Sequence, residues 1–223
     1  MVSATSSDPV DDAAPADRAA PGLVRPTPAP APVAASVRHS VKILVVGGFG
    51  VGKTTLIGSV SEIVPLRTEE PMTSASVGVD DLERLEHKTA TTVAMDFGRI
   101  TLSEQVVLYL FGTPGQQRFW PLWQGLATGA LGALVLVDTR RLDASFSAID
   151  QLEQHHPDLP LAVAVNQFPD SRTVEHDQLR QALDLQPGTP LTDCDARQRG
   201  SATGSLISLV DHIYRVPTTP SPR

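Results

Sequence analysis

The chain has 223 residues, 41% hydrophobic and 19% charged, with a net charge of −7 and one cysteine. That length accommodates one ordinary domain with tails and excludes a multidomain machine; a lone cysteine excludes a disulfide framework and a Cys-rich zinc site, and suits a reducing compartment. The acidic balance offers no field to draw in nucleic acid or an anionic membrane. No apolar run approaches roughly 18 residues, and the first residues lack a basic-then-apolar leader pattern, so a soluble cytoplasmic protein without direct membrane insertion is expected.

Residues 1–40 contain no aromatic side chain, and alanine and proline fill 17 of these 40 positions. So little apolar area cannot offset chain entropy, and the segment is expected to be disordered. Pro26, Pro28, Pro30 and Pro32 alternate with Thr or Ala, the composition of a stiff spacer. One folded domain is expected over 41–216, followed by a short flexible tail over 217–223.

Within the domain, residues 41–46 read as a buried strand ended by glycines. Residues 93–102 and 106–111 read as two strands close enough to form a hairpin. The uninterrupted apolar runs 133–137 and 161–165 are typical of central strands covered on both faces. Helical periodicity occupies 145–156 and 174–185. Residues 201–214 close the series, with Leu206, Leu209, Val210 and Ile213 on one helical face. The long segment 65–92 includes a potentially helical stretch, 80–87. The fold class expected is α/β, a mostly parallel central sheet with one antiparallel edge strand and helices on both faces.

The chemistry-bearing signal is Gly47-Gly48-Phe49-Gly50-Val51-Gly52-Lys53-Thr54, a G-x-x-x-x-G-K-[ST] run between a strand and a helix opened by Thr55. Gly50 and Gly52 let the backbone fold tightly round a phosphate with its N–H groups turned inward. The candidate phosphate-binding run is therefore Gly48, Phe49, Gly50, Val51, Gly52, Lys53, Thr54 and Thr55. Lys53 is placed to reach the β- and γ-phosphates, and the Thr54 hydroxyl is a hard oxygen ligand for Mg²⁺.

Further along stand Thr92-Val93-Ala94-Met95-Asp96-Phe97 and Gly112-Thr113-Pro114-Gly115-Gln116-Gln117-Arg118-Phe119. With the phosphate loop and the later Asn166, these segments resemble small Ras-like P-loop GTPases, and more closely the actinobacterial conservon GTPases, with the bacterial gliding-motility GTPase more distant. The resemblance implies a GTP/GDP switch with slow, Mg²⁺-dependent hydrolysis. Thr92, or Thr91 or Thr89 in another register, would join Thr54 at the metal. Gly115 would meet the γ-phosphate, and Gln116 would position the attacking water, so Gln116 and Lys53 are the catalytic candidates. Asn166 would brace base and phosphate loop, Asp170 would read the base edge, and the Ala196 N–H would meet the base oxygen. The resemblance also implies a roadblock-type regulator and a histidine-kinase-like membrane protein as partners of a monomeric protein, with recruitment to the membrane through them.

Three departures from the Ras-like pattern stand out. Gly112 occupies the place of the aspartate that holds Mg²⁺ through water, with Asp138 a substitute acid. Phe49 puts a bulky ring where many members have a small residue. Asn166-Gln167-Phe168-Pro169-Asp170 carries its carboxylate one residue later than the N-K-x-D pattern, with Gln167 in place of the lysine. Two other readings remain: a nucleotide-dependent binding module without useful hydrolysis, and a P-loop phosphotransferase. Trp120 and Trp123 are either a partner surface of the switch or packing for a neighbouring helix.

Overall fold

Alternation along the first strand sets the architecture of this computed structural model, which describes residues 32–71 and 92–215. In β1 (His39–Val46), Ile43 and Val45 face one layer of core while Leu44 and Val46 face the other, all four fully buried. Each such side chain contributes about 1.5–3 kcal/mol through its burial. A strand covered on both faces needs no polar alternation, which explains the uninterrupted apolar runs read from the sequence.

The chain continues through α1 (Lys53–Val60), β2 (Leu66–Pro71), β3 (Thr92–Thr101), β4 (Val106–Gly112) and α2 (Pro121–Ala127). It then forms β5 (Gly132–Val137), α3 (Leu142–His155), β6 (Leu161–Asn166), α4 (His176–Ala182), β7 (Leu191–Cys194) and α5 (Arg199–Arg215). The sheet order is β2-β3-β4-β1-β5-β6-β7. The pairs β1·β4, β1·β5, β5·β6 and β6·β7 are parallel, and β3 runs antiparallel to both β2 and β4. The antiparallel strand expected at the edge is thus β3, with β2 paired outside it. Thr68 and Pro71 of β2 lie opposite Met95 and Thr92, and the mixed 65–71 composition gave no strand period to read.

One face is packed by α1 and α5 through Leu56, Ile57, Val60, Leu206 and Leu209, and the other by α2, α3 and α4 through Trp123, Ile149, Leu152 and Leu179. Gly98 of β3 sits under α1, where an added Cβ would stand 2.6 Å from Ile57 Cγ2; this close approach fixes the helix that follows the phosphate loop. Element boundaries shift by a few residues from the periodicity. The strand begins at His39 rather than at 41, and the fourth helix is shorter than 174–185. The terminal segments 1–31 and 216–223 and the internal segment 72–91, which contains the stretch expected to be helical and Thr89 and Thr91, lie outside the described residues. Among the described residues, no helix is long and apolar enough to cross a membrane.

Candidate nucleotide-binding site

The parallel strands β1, β5, β6 and β7 all point their C-terminal ends the same way, and the loops leaving them carry the candidate residues, the usual ligand edge of an open α/β sheet. The turn from β1 into α1 is left-handed at Gly52 (φ 105°), where an added Cβ would lie 2.5 Å from Asn166 Nδ2. Gly52 therefore satisfies both a backbone demand and a spatial one.

Asn166, buried at the end of β6, is the tie that Gly52 makes room for. Its Nδ2 donates to Val51 O (2.8 Å), and its Oδ1 accepts from the Ala196 N–H (3.0 Å). One side chain thus joins the phosphate loop to the turn between β7 and α5. The Ala196 N–H expected on the base oxygen is committed here to Asn166, because a buried amide next to a side-chain carbonyl pairs with it rather than stay unsatisfied.

Lys53 lies 8% exposed, with Nζ donating to Gly47 O (2.7 Å) and Gly48 O (2.8 Å). Burial lowers its ammonium to about 8, opposed by the charge of Asp96. Incoming phosphate oxygens would supply stronger, charged acceptors than these two carbonyls. Thr54 and Thr55 stand exposed at the start of α1. The loop after β4 closes on this groove: an added Cβ at Gly115 would fall 2.7 Å from Phe49 N and 2.8 Å from Lys53 Nζ. Only glycine lets that loop lie against the phosphate-binding atoms.

The acid nearest Thr54 is Asp96 rather than Asp138. Thr54 Oγ1 donates to Asp96 Oδ2 (2.5 Å), and Asp96 is the cross-strand partner of Gly112. Asp138 is instead gripped by Arg140 and Arg141, whose hydrogen bonds hold its carboxyl below the usual range. The adjacent strand thus sets a carboxylate beside Thr54 where position 112 has none. In the sequence Asp96 is visible only as an interruption of the 93–102 run; that it faces Gly112 and reaches Thr54 follows from the strand register.

The remaining candidates are more open. Phe49 is 68% exposed at the rim of the groove, and its carbonyl accepts from Arg141 Nη2 (3.0 Å). Gln116 is exposed at the head of a 3-10 turn, Gln117–Phe119. Thr92 begins β3 opposite Pro71. Asp170 accepts from Arg140 Nη1 (2.7 Å). Trp123 belongs to the core, 1% exposed, with its indole N–H donating to Pro114 O (3.2 Å), and Trp120 packs half-buried beside it. A cleft of about 620 Å³ at the same sheet edge is lined by Thr139, Gln167, Arg172, Glu175, His176 and Asp193 and by none of the phosphate-loop residues.

For a divalent ion, the exposed hydroxyl of Thr54 beside the Asp96 carboxylate is an all-oxygen donor pair, the kind Mg²⁺ takes together with phosphate oxygens. Among the described residues there is no group of three His, Cys, Asp or Glu side chains able to hold a metal by themselves.

Sheet order, glycine loop, buried lysine and Asn166 brace define a P-loop nucleotide-binding protein of the GTPase-like, G-domain kind. The chain belongs to the family described as "Conserved hypothetical ATP binding protein", whose model matches residues 45–216. It is 31% identical to an uncharacterised protein of Methanocaldococcus jannaschii over 104 residues, 47% of this chain, and spans about half (54%) of that relative's length. It is 23% identical to the Ras-related protein Rab-27A of Rattus norvegicus over 197 residues, covering 79% of this chain and 80% of Rab-27A. The G domain of the T. maritima FeoB iron transporter superposes with a TM-score of 0.55 at 14% identity, covering 78% of this chain and 99% of that one.

Proposed function

We propose that the chain is a guanine-nucleotide switch with slow, Mg²⁺-dependent GTP hydrolysis, whose output is nucleotide-dependent binding of partners. The observation that carries this reading is the close approach of Gly115 to the phosphate loop, where an added Cβ would fall 2.7 Å from Phe49 N and 2.8 Å from Lys53 Nζ. A loop leaving β4 that rests on the phosphate-binding atoms has its position set by whether a γ-phosphate stands between them, which is how a bound nucleotide becomes a change of surface. Gln116, next in that loop, is then within one residue of the reacting phosphoryl group and would orient the water. Lys53 would bind the phosphates.

The residues present suit Mg²⁺: Thr54, with Thr92 by resemblance, would ligate it, and Asp96 would hold one of its waters. The ion would neutralise charge on the phosphate oxygens. The exposed Phe49 ring at the groove's rim argues for slow turnover, since it takes up space where an activating side chain would enter. The resemblance to conservon GTPases extends the proposal to a roadblock-type regulator and a histidine-kinase-like membrane protein as partners, meeting segments 65–92 and 115–125. The protein would then reach the membrane through them.

A second reading, a nucleotide-dependent binding module without hydrolysis, is favoured by that same Phe49 ring. Single-turnover release of phosphate from GTP with Mg²⁺ separates the two. Slow release abolished by Gln116→Leu supports the switch with hydrolysis. Tight GTP binding with no release above the uncatalysed rate leaves the binding module.

A further inference from the structure

Five side chains at the ends of β5 and β6 form one network beside the phosphate groove. Asp138, 2% exposed, has both carboxylate oxygens occupied. Oδ1 accepts from the Arg140 backbone N–H (3.0 Å) and Nε (2.9 Å), and Oδ2 from Arg140 Nη2 (2.9 Å) and Arg141 Nη2 (3.4 Å). This double grip fixes the plane of the Arg140 guanidinium, which lies 3.7 Å from the Phe168 ring centroid. The remaining arm, Nη1, donates to Asp170 Oδ1 at 2.7 Å. Asp170 itself stands 71% exposed on the turn after Pro169, and among the described residues Arg140 is the only side chain that holds it.

We propose that Arg140 is the positioning residue for base selectivity: anchored on buried Asp138 and stacked on Phe168, it presents the Asp170 carboxylate to the N–H edge of a guanine. This rests on the guanine-nucleotide reading above. An exposed carboxylate on a turn loses rotational freedom when it engages a ligand, and a group already held does not. Arg140 takes one oxygen and leaves Oδ2 for the base. Guanine offers two adjacent donors, N1–H and the 2-amino group. Adenine offers an acceptor at N1, which a fixed carboxylate repels. The one-residue displacement at Pro169 is thereby compensated from the turn after β5, by an arginine whose rigid fork can serve two carboxylates at once.

The test compares dissociation constants of GDP and ADP for the full chain and for R140Q, R140K, D170N and R140Q/D170N, with thermal melting to establish folding. R140Q is expected to weaken GDP about tenfold while leaving ADP within about twofold, since only the donor edge reads the carboxylate. R140K is expected to fall between, because lysine reaches Asp170 without gripping Asp138 on two sides. R140Q/D170N is expected to lose no more than D170N alone. Equal loss of GDP and ADP in R140Q, an unchanged GDP constant, or additive losses in the double variant would each overturn the proposal. If R140Q melts below the assay temperature, R140K decides by the same ratio. A wild-type chain that binds ADP as tightly as GDP would defeat the guanine reading itself. The positioning role then stands or falls on whether the variants still move the GDP-to-ADP ratio.

Discussion

Asp96 and Gly112 face each other across the antiparallel pair β3·β4, and the side chain that one lacks is the carboxylate that the other delivers to Thr54. The two positions exclude each other's alternatives. An added Cβ at 112 would lie 3.0 Å from Ile57 Cδ1 and 3.1 Å from Asp96 Cβ, so the acid fits on one strand and not on both.

Asp96→Asn keeps the shape and removes the charge, and is expected to reduce the Mg²⁺ enhancement of GDP binding by about tenfold or more, the scale of lost outer-shell partners. Gly112→Asp adds bulk and a like charge beside Asp96, and is expected to cost roughly 1–3 kcal/mol of stability. Mg²⁺ titrations of GDP affinity and urea denaturation check the two. An Asp96→Asn protein with an unchanged Mg²⁺ response would remove Asp96 from the metal site.

Lys53 makes nucleotide binding pH-dependent. Its ammonium is lowered from 10.5 to about 8 by burial, and phosphates bind its charged form. GDP affinity is expected to hold below pH 8 and to fall as pH rises through it, with proton uptake on binding. The stability of the nucleotide-free protein runs the other way. Between about 8 and 10.5 the unfolded chain binds the proton that the folded one has released, so stability rises with pH there. Lys53→Met is expected to abolish GDP binding, to flatten the stability profile between about pH 8 and 10.5 and to raise the melting temperature at pH 7. Calorimetric titration in buffers of different ionisation enthalpy measures the proton directly.

Asn166→Ala leaves Val51 O and the Ala196 N–H without their partner in a buried setting. Each unsatisfied group costs roughly 1–3 kcal/mol, so a loss in that range or above is expected in denaturation, together with weaker nucleotide binding. Asn166→Asp, which accepts but cannot donate, should relieve the Ala196 side and not the Val51 side. An Asn166→Ala protein as stable as the unaltered chain would argue against the double tie.

Trp123 anchors the loop that carries Gly115 through its bond to Pro114 O. Trp123→Phe keeps most of the buried area and loses the donor, an expected cost of about 1 kcal/mol. Trp123→Ala is expected to cost about 3–5 kcal/mol. Because its ring is buried next to this loop, Trp123 fluorescence should change when GTP replaces GDP. The Trp123→Phe protein, which retains Trp120, shows how much of that change Trp123 carries.

The periodicity of β1, β5 and β6 and the spacing of the phosphate loop were enough to reach the architecture and the placing of Lys53, because those signals are local: a run covered on both faces, a turn that only glycine allows. β2 was not legible, since its partner β3 lies more than twenty residues further on and its composition has no period of two. The role of Asp96 was hidden for a different reason, although its hairpin with β4 was expected. Nothing within its own segment says that Gly112 lies opposite, and only register makes the exchange visible. Asp138 was read as a candidate acid because it ends a strand at the ligand edge. The adjacent arginines turn it into an anchor instead, which depends on side-chain direction rather than on sequence position.

Which nucleotide the groove selects decides most directly whether the chain is a guanine switch. Displacement of a fluorescent GDP analogue by GTP, GDP, ATP and ADP, with and without Mg²⁺, measures it in one experiment. The expected result is displacement by the guanine nucleotides alone, tightened by Mg²⁺. Equal displacement by ATP or ADP would contradict the guanine switch and bring the chain's function to the adenine nucleotide that its family description names.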